Sequence, residues 1–348
     1  MFTNNRILAA LPLTFLLACV APSELPVPTP DVDEALPTEF VDLIGASDGL
    51  YPEGIVADSE DRLWVTGFGD GSILRVDADN DVEVWKSAGS DGLLAAVGVQ
   101  LDEQRDRLWV ANFSFETFSS NLKVFDSETG DLLATIEPDP ELGPHFFNEV
   151  TLADDGRVYV SDTLQPRVWT AEPDLSSVDV FVEDPLLANP AEDRPFGLNG
   201  LTLSPEGDVL VASVMDRITP GGGRLVRIDV ANRAAEAISL SGDLDVFGGG
   251  DGILFDDDGR LLMVNVTPPA AIVSAVFSPD YRTADLFAHT RYDADFDRPT
   301  APAIRGDRLW VVDSQLDHII DDENGALGTD PLLPFQLTGV DLDALLSE

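Results

Sequence analysis

The sequence predicts an all-β fold: a six-bladed β-propeller with a central metal-binding channel. Three observations carry this. A short acidic turn followed by a bulky apolar strand recurs six times at a period near fifty residues. No segment beyond the first twenty or so residues sustains a helical period for more than a couple of turns. A second series of residues, one per copy, keeps the same period and is rich in side-chain oxygen.

The chain begins with something other than the fold. Arg6 precedes an apolar run, Ile7 to Leu17, too short to span a bilayer but suited to a signal-peptide core. It ends Leu16-Leu17-Ala18-Cys19, which resembles a bacterial lipoprotein processing site. Residues 1–18 are therefore expected to be a lipoprotein signal peptide, with Cys19 the lipidated first residue of the mature chain. Pro22, Pro26, Pro28, Pro30 and Pro37 make residues 19–38 a proline-rich tether without apolar periodicity. The propeller occupies 39–348. This predicts an exported protein held in the cell envelope, touching the membrane through its lipid alone.

The six copies read Asp61-Arg62-Leu63-Trp64-Val65, Asp106-Arg107-Leu108-Trp109-Val110, Asp155-Gly156-Arg157-Val158-Tyr159-Val160, Glu206-Gly207-Asp208-Val209-Leu210-Val211, Asp258-Gly259-Arg260-Leu261-Leu262 and Asp307-Arg308-Leu309-Trp310-Val311. With the bulky residue as marker, the spacings are 45, 50, 51, 52 and 48. Asp-Gly and Asp-Arg suit short hairpins. A small sheet cannot bury both faces alone, so a fifty-residue, several-stranded repeat means propeller blades. Tandem β-sandwiches would need roughly twice the period. Ring closure is expected between the early strand Phe40–Ile44 and the last blade near Phe335–Leu337.

The inner strands of a propeller line its channel, so residues at equivalent places in them face one axis. The register gives Glu53, Val97, Asn148, Asn199, Asp251 and Thr300, spaced by 44, 51, 51, 52 and 49. Two carboxylates and two amide carbonyls are hard oxygen donors, suited to calcium or magnesium. Asn-Gly at 199–200 and Asp-Gly at 251–252 are also strong turn dipeptides, but the hairpin turns come later in every copy.

With this four-point pattern the region from about residue 50 to 317 resembles the six-bladed calcium propellers of the gluconolactonase, regucalcin and luciferin-regenerating-enzyme family. The resemblance implies Glu53, Asn148, Asn199 and Asp251 as ligands of a divalent metal, calcium by family precedent. It implies Asp251 as general base or nucleophile in a hydrolase acting on a small-molecule lactone or ester. Two residues before Asn148, where the family's sugar-lactone hydrolases carry an arginine, stands Phe146, flanked by Phe147. Thr300 stands where phosphotriesterase-like relatives place a histidine. Phe146, Phe147 and Thr300 are thus the expected substrate-pocket residues. The alternatives are a non-catalytic binding or scaffold propeller with a structural metal, and a strictosidine-synthase-like propeller using a channel glutamate.

Composition narrows the partners. Twenty basic residues against 64 acidic ones give a net charge of −44, which repels nucleic acid and anionic lipid headgroups. One cysteine excludes an intrachain disulfide and a cysteine-built zinc site. A monomer is expected. Other signals have plainer readings. Gly45–Gly49 mimics a nucleophile elbow but is followed by Tyr51-Pro52 and a strand rather than a helix. Asp77, Asp79 and Asp81 lack the glycine and glutamate of a calcium-binding loop. His145, His289 and His318 fall on different blades in different registers, with His145 read as a loop residue.

Overall fold

The computed structural model describes residues 36, 38–189, 196–215, 222–265, 271–290, 296–321, 326–327 and 330–347. The expected signal peptide, Cys19 and almost all of the tether lie outside them. The described residues form six antiparallel blades, two extra strands making a small ribbon, and a short C-terminal helix, Leu342–Leu346, capped by the Asp341 side chain. The inner strands are Pro52–Ala57, Ala95–Asp102, Phe147–Leu152, Leu198–Leu203, Gly250–Phe255 and Pro299–Arg305.

Each second strand sends alternate residues to opposite sides, as a pleated strand must. In blade one, Leu63 and Val65 face blade six while Trp64 faces blade two. Repeated around the ring, this divides the core into six apolar wedges, one at each blade-to-blade interface. Trp64, Trp109, Tyr159, Leu262 and Trp310 each fill the wedge shared with the following blade. Blade four differs from the sequence reading by one residue. Leu203 pairs with Leu210, as Ala57 pairs with Leu63, so Val211 and not Leu210 is the counterpart of Trp64. Leu210 faces back toward blade three.

Closure occurs where the sequence placed it. Thr38–Asp42 supplies the outer strand of blade six, with Val41 opposite Leu337 and Asp42 opposite Gln336. Blade five has an unanticipated feature: Ser239–Gly242, leaving blade four, adds a parallel fifth strand beside Thr283–Ala288.

All six inner strands break register at the same place. In blade one Pro52 pairs with Gly67 and Ile55 with Val65, so Glu53 and Gly54 together oppose Thr66. The same two-against-one bulge holds Val97-Gly98, Asn148-Glu149, Asn199-Gly200, Asp251-Gly252 and Thr300-Ala301. A bulge re-aims its residues and leaves a backbone group without a ladder partner. Hydroxyls on the second strand take two of these: the Gly54 N–H donates to Thr66 Oγ1 at 2.9 Å and the Glu149 N–H to Ser161 Oγ at 2.9 Å.

Candidate metal centre and channel mouth

The six bulges turn the predicted series into a physical ring. Glu53, Asn148, Asn199, Asp251 and Thr300 are all buried, and each is the first residue of its bulge. The second residue of the bulge touches the next blade. A Cβ on Gly98 would lie 2.1 Å from the Asn148 carbonyl oxygen, and one on Gly200 would lie 2.3 Å from that of Asp251. Glycine here reflects close approach of backbones, not turn formation. Thr300 Oγ1 closes the circle by donating to the Glu53 carbonyl at 2.8 Å. Thr300 therefore ties blade six to blade one.

The donor set can be tested for a cation from the protein side. Among the described residues, Asn199 Oδ1 is fully buried and accepts no hydrogen bond, while its Nδ2 reaches the Met215 sulfur at 3.6 Å. Buried amide oxygens are rarely left without a partner, and a hard cation is one such partner. Among the described residues no three Asp, Glu, His or Cys side chains gather into a metal-holding group. A cation on this ring would therefore depend on the amides of Asn148 and Asn199 beside the carboxylates of Glu53 and Asp251. These residues fit a calcium-like ion.

Glu149 is a channel residue that the sequence reading did not single out. It occupies the slot that holds Gly54, Gly98, Gly200 and Gly252 on other blades. Aligning the residue after each ring position would have exposed it as the acidic exception. Its side chain enters the channel below the ring, a cavity of about 350 Å³ walled by Ile55, Val99, Leu201, Ile253 and Ala303. Burial pushes its carboxyl up to about 8; the Val150 N–H opposes this and nearby Asp251 adds to it.

The two phenylalanines part company. Phe147 has no exposed surface and packs on Trp169 and His145 in the wedge between blades two and three. It supports the strand and does not face the channel. Phe146 keeps part of its surface open and stacks on Phe113 with ring centres 4.3 Å apart. Asp162 holds the backbone here, accepting from the Phe146 N–H at 2.9 Å and from Trp169 Nε1 at 3.0 Å. Burial pushes the Asp162 carboxyl up to about 6, opposed by these donors and by His145.

The histidines serve elsewhere. His145 is buried, its ring nitrogens 2.9 Å from the Gly143 carbonyl and 3.1 Å from that of Ser120. His289 lies 2.7 Å from Ser274 Oγ, and burial pushes it down to about 4. His318 meets Asp297 at 3.2 Å.

No protein-family model and no curated protein sequence matches this chain. Solved structures do. The major allergen Mala s 1 of Malassezia sympodialis superposes with a TM-score of 0.68 at 18% identity, covering 88% of this chain and 97% of that one. Luciferin-regenerating enzyme gives 0.60 at 12% identity, over 88% and 95%. Regucalcin of Agrobacterium tumefaciens, described as calcium-binding, gives 0.57 at 17% identity, over 84% and 91%. Identities this low speak to architecture. The chain is a six-bladed β-propeller and shares that fold with regucalcin and luciferin-regenerating enzyme.

Proposed function

We propose that this protein is a calcium-dependent hydrolase of a lactone or ester, exported and held to the cell envelope by a lipid on Cys19. The observation that carries the reading is the ring itself: two carboxylates and two amides at the same bulge position on four blades, one of them with a buried amide oxygen that has no partner among the described residues. Glu53, Asn148, Asn199 and Asp251 are the residues that would hold the ion. When bound, calcium would supply a Lewis acid for the substrate's carbonyl oxygen. Asp251 takes the proton of the attacking water or adds to the carbonyl itself. The two asparagines bring oxygen to the site without adding repulsion between the two carboxylates. The backbone contacts between neighbouring bulges keep the donors in place, since no ring residue can shift without moving the next blade.

The test uses the mature chain and Asp251→Asn. A ligand bound only by the folded state raises stability by mass action, so strong chelator should lower the melting temperature of wild type. Asparagine keeps an oxygen donor but can neither accept the proton nor attack. With saturating calcium the variant should regain its thermal stability while its rate on lactones and aryl esters falls by about 10²–10⁴. A wild-type melting curve indifferent to chelator would remove the metal. Equal rates for the calcium-saturated variant and wild type would remove Asp251. Absence of hydrolysis across a broad panel would favour a binding propeller.

A further inference from the structure

The channel mouth is lopsided. Phe146 stacks on Phe113, while Phe68 meets Phe115 edge-on at 5.3 Å and Phe146 at 6.4 Å. Phe113 is buried, but Phe68, Phe115 and Phe146 each keep part of their surface open. Each stands one residue outside a strand end, Phe68 after Gly67, Phe115 after Ser114 and Phe146 before Phe147. Phe146 comes two residues before Asn148, and Phe68 two residues after Thr66, which opposes the Glu53 bulge. At about 3.4 Å per residue, this sets Phe68 and Phe146 roughly 7 Å from the ring level along the chain, and Phe115, four residues past Ala111, roughly 14 Å.

The fold does not require this aromatic wall. Places equivalent to Phe146 hold Tyr51, Ala95, Gly197, Gly249 and Arg298 in the other blades, and places equivalent to Phe68 hold Phe113, Thr163, Met215 and Ser314 among the described residues. If blade packing demanded aromatics at the mouth, the symmetry of the propeller would put them all round. They are confined to blades one to three. The net charge of −44 adds a second constraint, because an anionic substrate would approach against the field of the whole molecule.

We propose that the substrate of the ring carries an uncharged alkyl or aryl tail that lies against Phe68, Phe115 and Phe146. The position of its reacting carbonyl rests on the hydrolase reading, whereas the affinity of the wall for an apolar tail can be measured without turnover. The probes are 3-alkylcyclopentanones from methyl to heptyl, in which a methylene replaces the ring oxygen of the corresponding lactone and hydrolysis is impossible. Titration calorimetry with calcium-loaded wild type should show affinity rising about three- to fourfold per added methylene until the wall is covered. Phe68→Ala/Phe115→Ala, checked for a wild-type-like melting curve, should flatten that slope. If the double variant is unfolded, Phe115→Asp, at a partly open position, should flatten it alone. Leu133→Ala removes an exposed apolar side chain on the outer strand of blade two and should keep the wild-type slope. Affinity independent of tail length in wild type, or a full slope in the folded phenylalanine variants, would overturn the wall. A normal slope with no lactone hydrolysis would keep the wall and remove the hydrolase; hydrolysis without a slope would do the reverse.

Discussion

Asn199 concentrates the argument for the site in one atom. Its Oδ1 is buried and accepts nothing from the described residues. An unsatisfied buried oxygen costs about 1–3 kcal/mol, which a bound cation would offset. Asn199→Ala is therefore expected to change the stability of chelator-treated protein by no more than about 1 kcal/mol, since the lost side chain contributes little without a partner. The same variant should lose most of the stabilisation that calcium confers on wild type. Melting curves with and without calcium check both halves. A variant that is badly destabilised in chelator yet keeps the full calcium response would make the amide a structural group. Thr300 shows the contrast: at the equivalent position on blade six, its hydroxyl is engaged with the Glu53 carbonyl at 2.8 Å.

At the level of the element, the inner-strand bulge does two jobs. It re-aims its first residue, and its second residue lets adjacent blades touch through their backbones. Gly200→Ala would place a methyl group 2.3 Å from the Asp251 carbonyl oxygen, an overlap that backbone movement alone can relieve. The expected loss is at least about 2 kcal/mol, read as a lower denaturant midpoint. Ala301→Gly, at the equivalent slot of blade six, should cost about 1 kcal/mol or less. If Gly200→Ala unfolded at the wild-type midpoint, the close approach of blades four and five at the ring would be wrong. The one misplaced marker has another cause, a hairpin one residue longer in blade four, where six residues separate Leu203 from Leu210 and five separate Ala57 from Leu63. Apolar alternation makes Val209, Leu210 and Val211 equally plausible counterparts of Trp64, and only the pairing of Leu203 with Leu210 decides for Val211.

For the whole molecule, charge and anchoring act together. A net charge of −44 opposes contact with anionic headgroups, so the protein body contributes little to membrane attachment. On the proposed anchoring, attachment would depend on lipid at Cys19, where each buried methylene is worth about 0.8 kcal/mol and more than one chain is needed for a lasting hold. Cys19→Ser should shift the protein from the membrane fraction to the soluble one, or leave it unprocessed, as read by cell fractionation and the mass of the product. Membrane association equal to that of wild type would remove the lipid anchor. The closing strand Thr38–Asp42 begins at the last residue of the expected tether and completes blade six.

Much of this protein follows from local chemistry. Acidic turns, apolar strands and a fifty-residue period determine six blades, because small sheets with two apolar faces must stack on one another. The spacing of Glu53, Asn148, Asn199 and Asp251 determines that they share one level of the ring, since equivalent residues of repeated units are related by its symmetry. Tertiary structure decided what symmetry and spacing leave open. Phe146 and Phe147 are adjacent and chemically identical, yet one lies at the channel mouth and the other in a wedge between blades. Glu149 acquires its raised pKa only once the strands of the other blades surround it. The aromatic wall exists only because blades one, two and three bring Phe68, Phe115 and Phe146 together across nearly eighty residues of chain. Periodic pattern governs the backbone, whereas the direction and surroundings of a side chain depend on neighbours that the ring supplies from elsewhere in the chain.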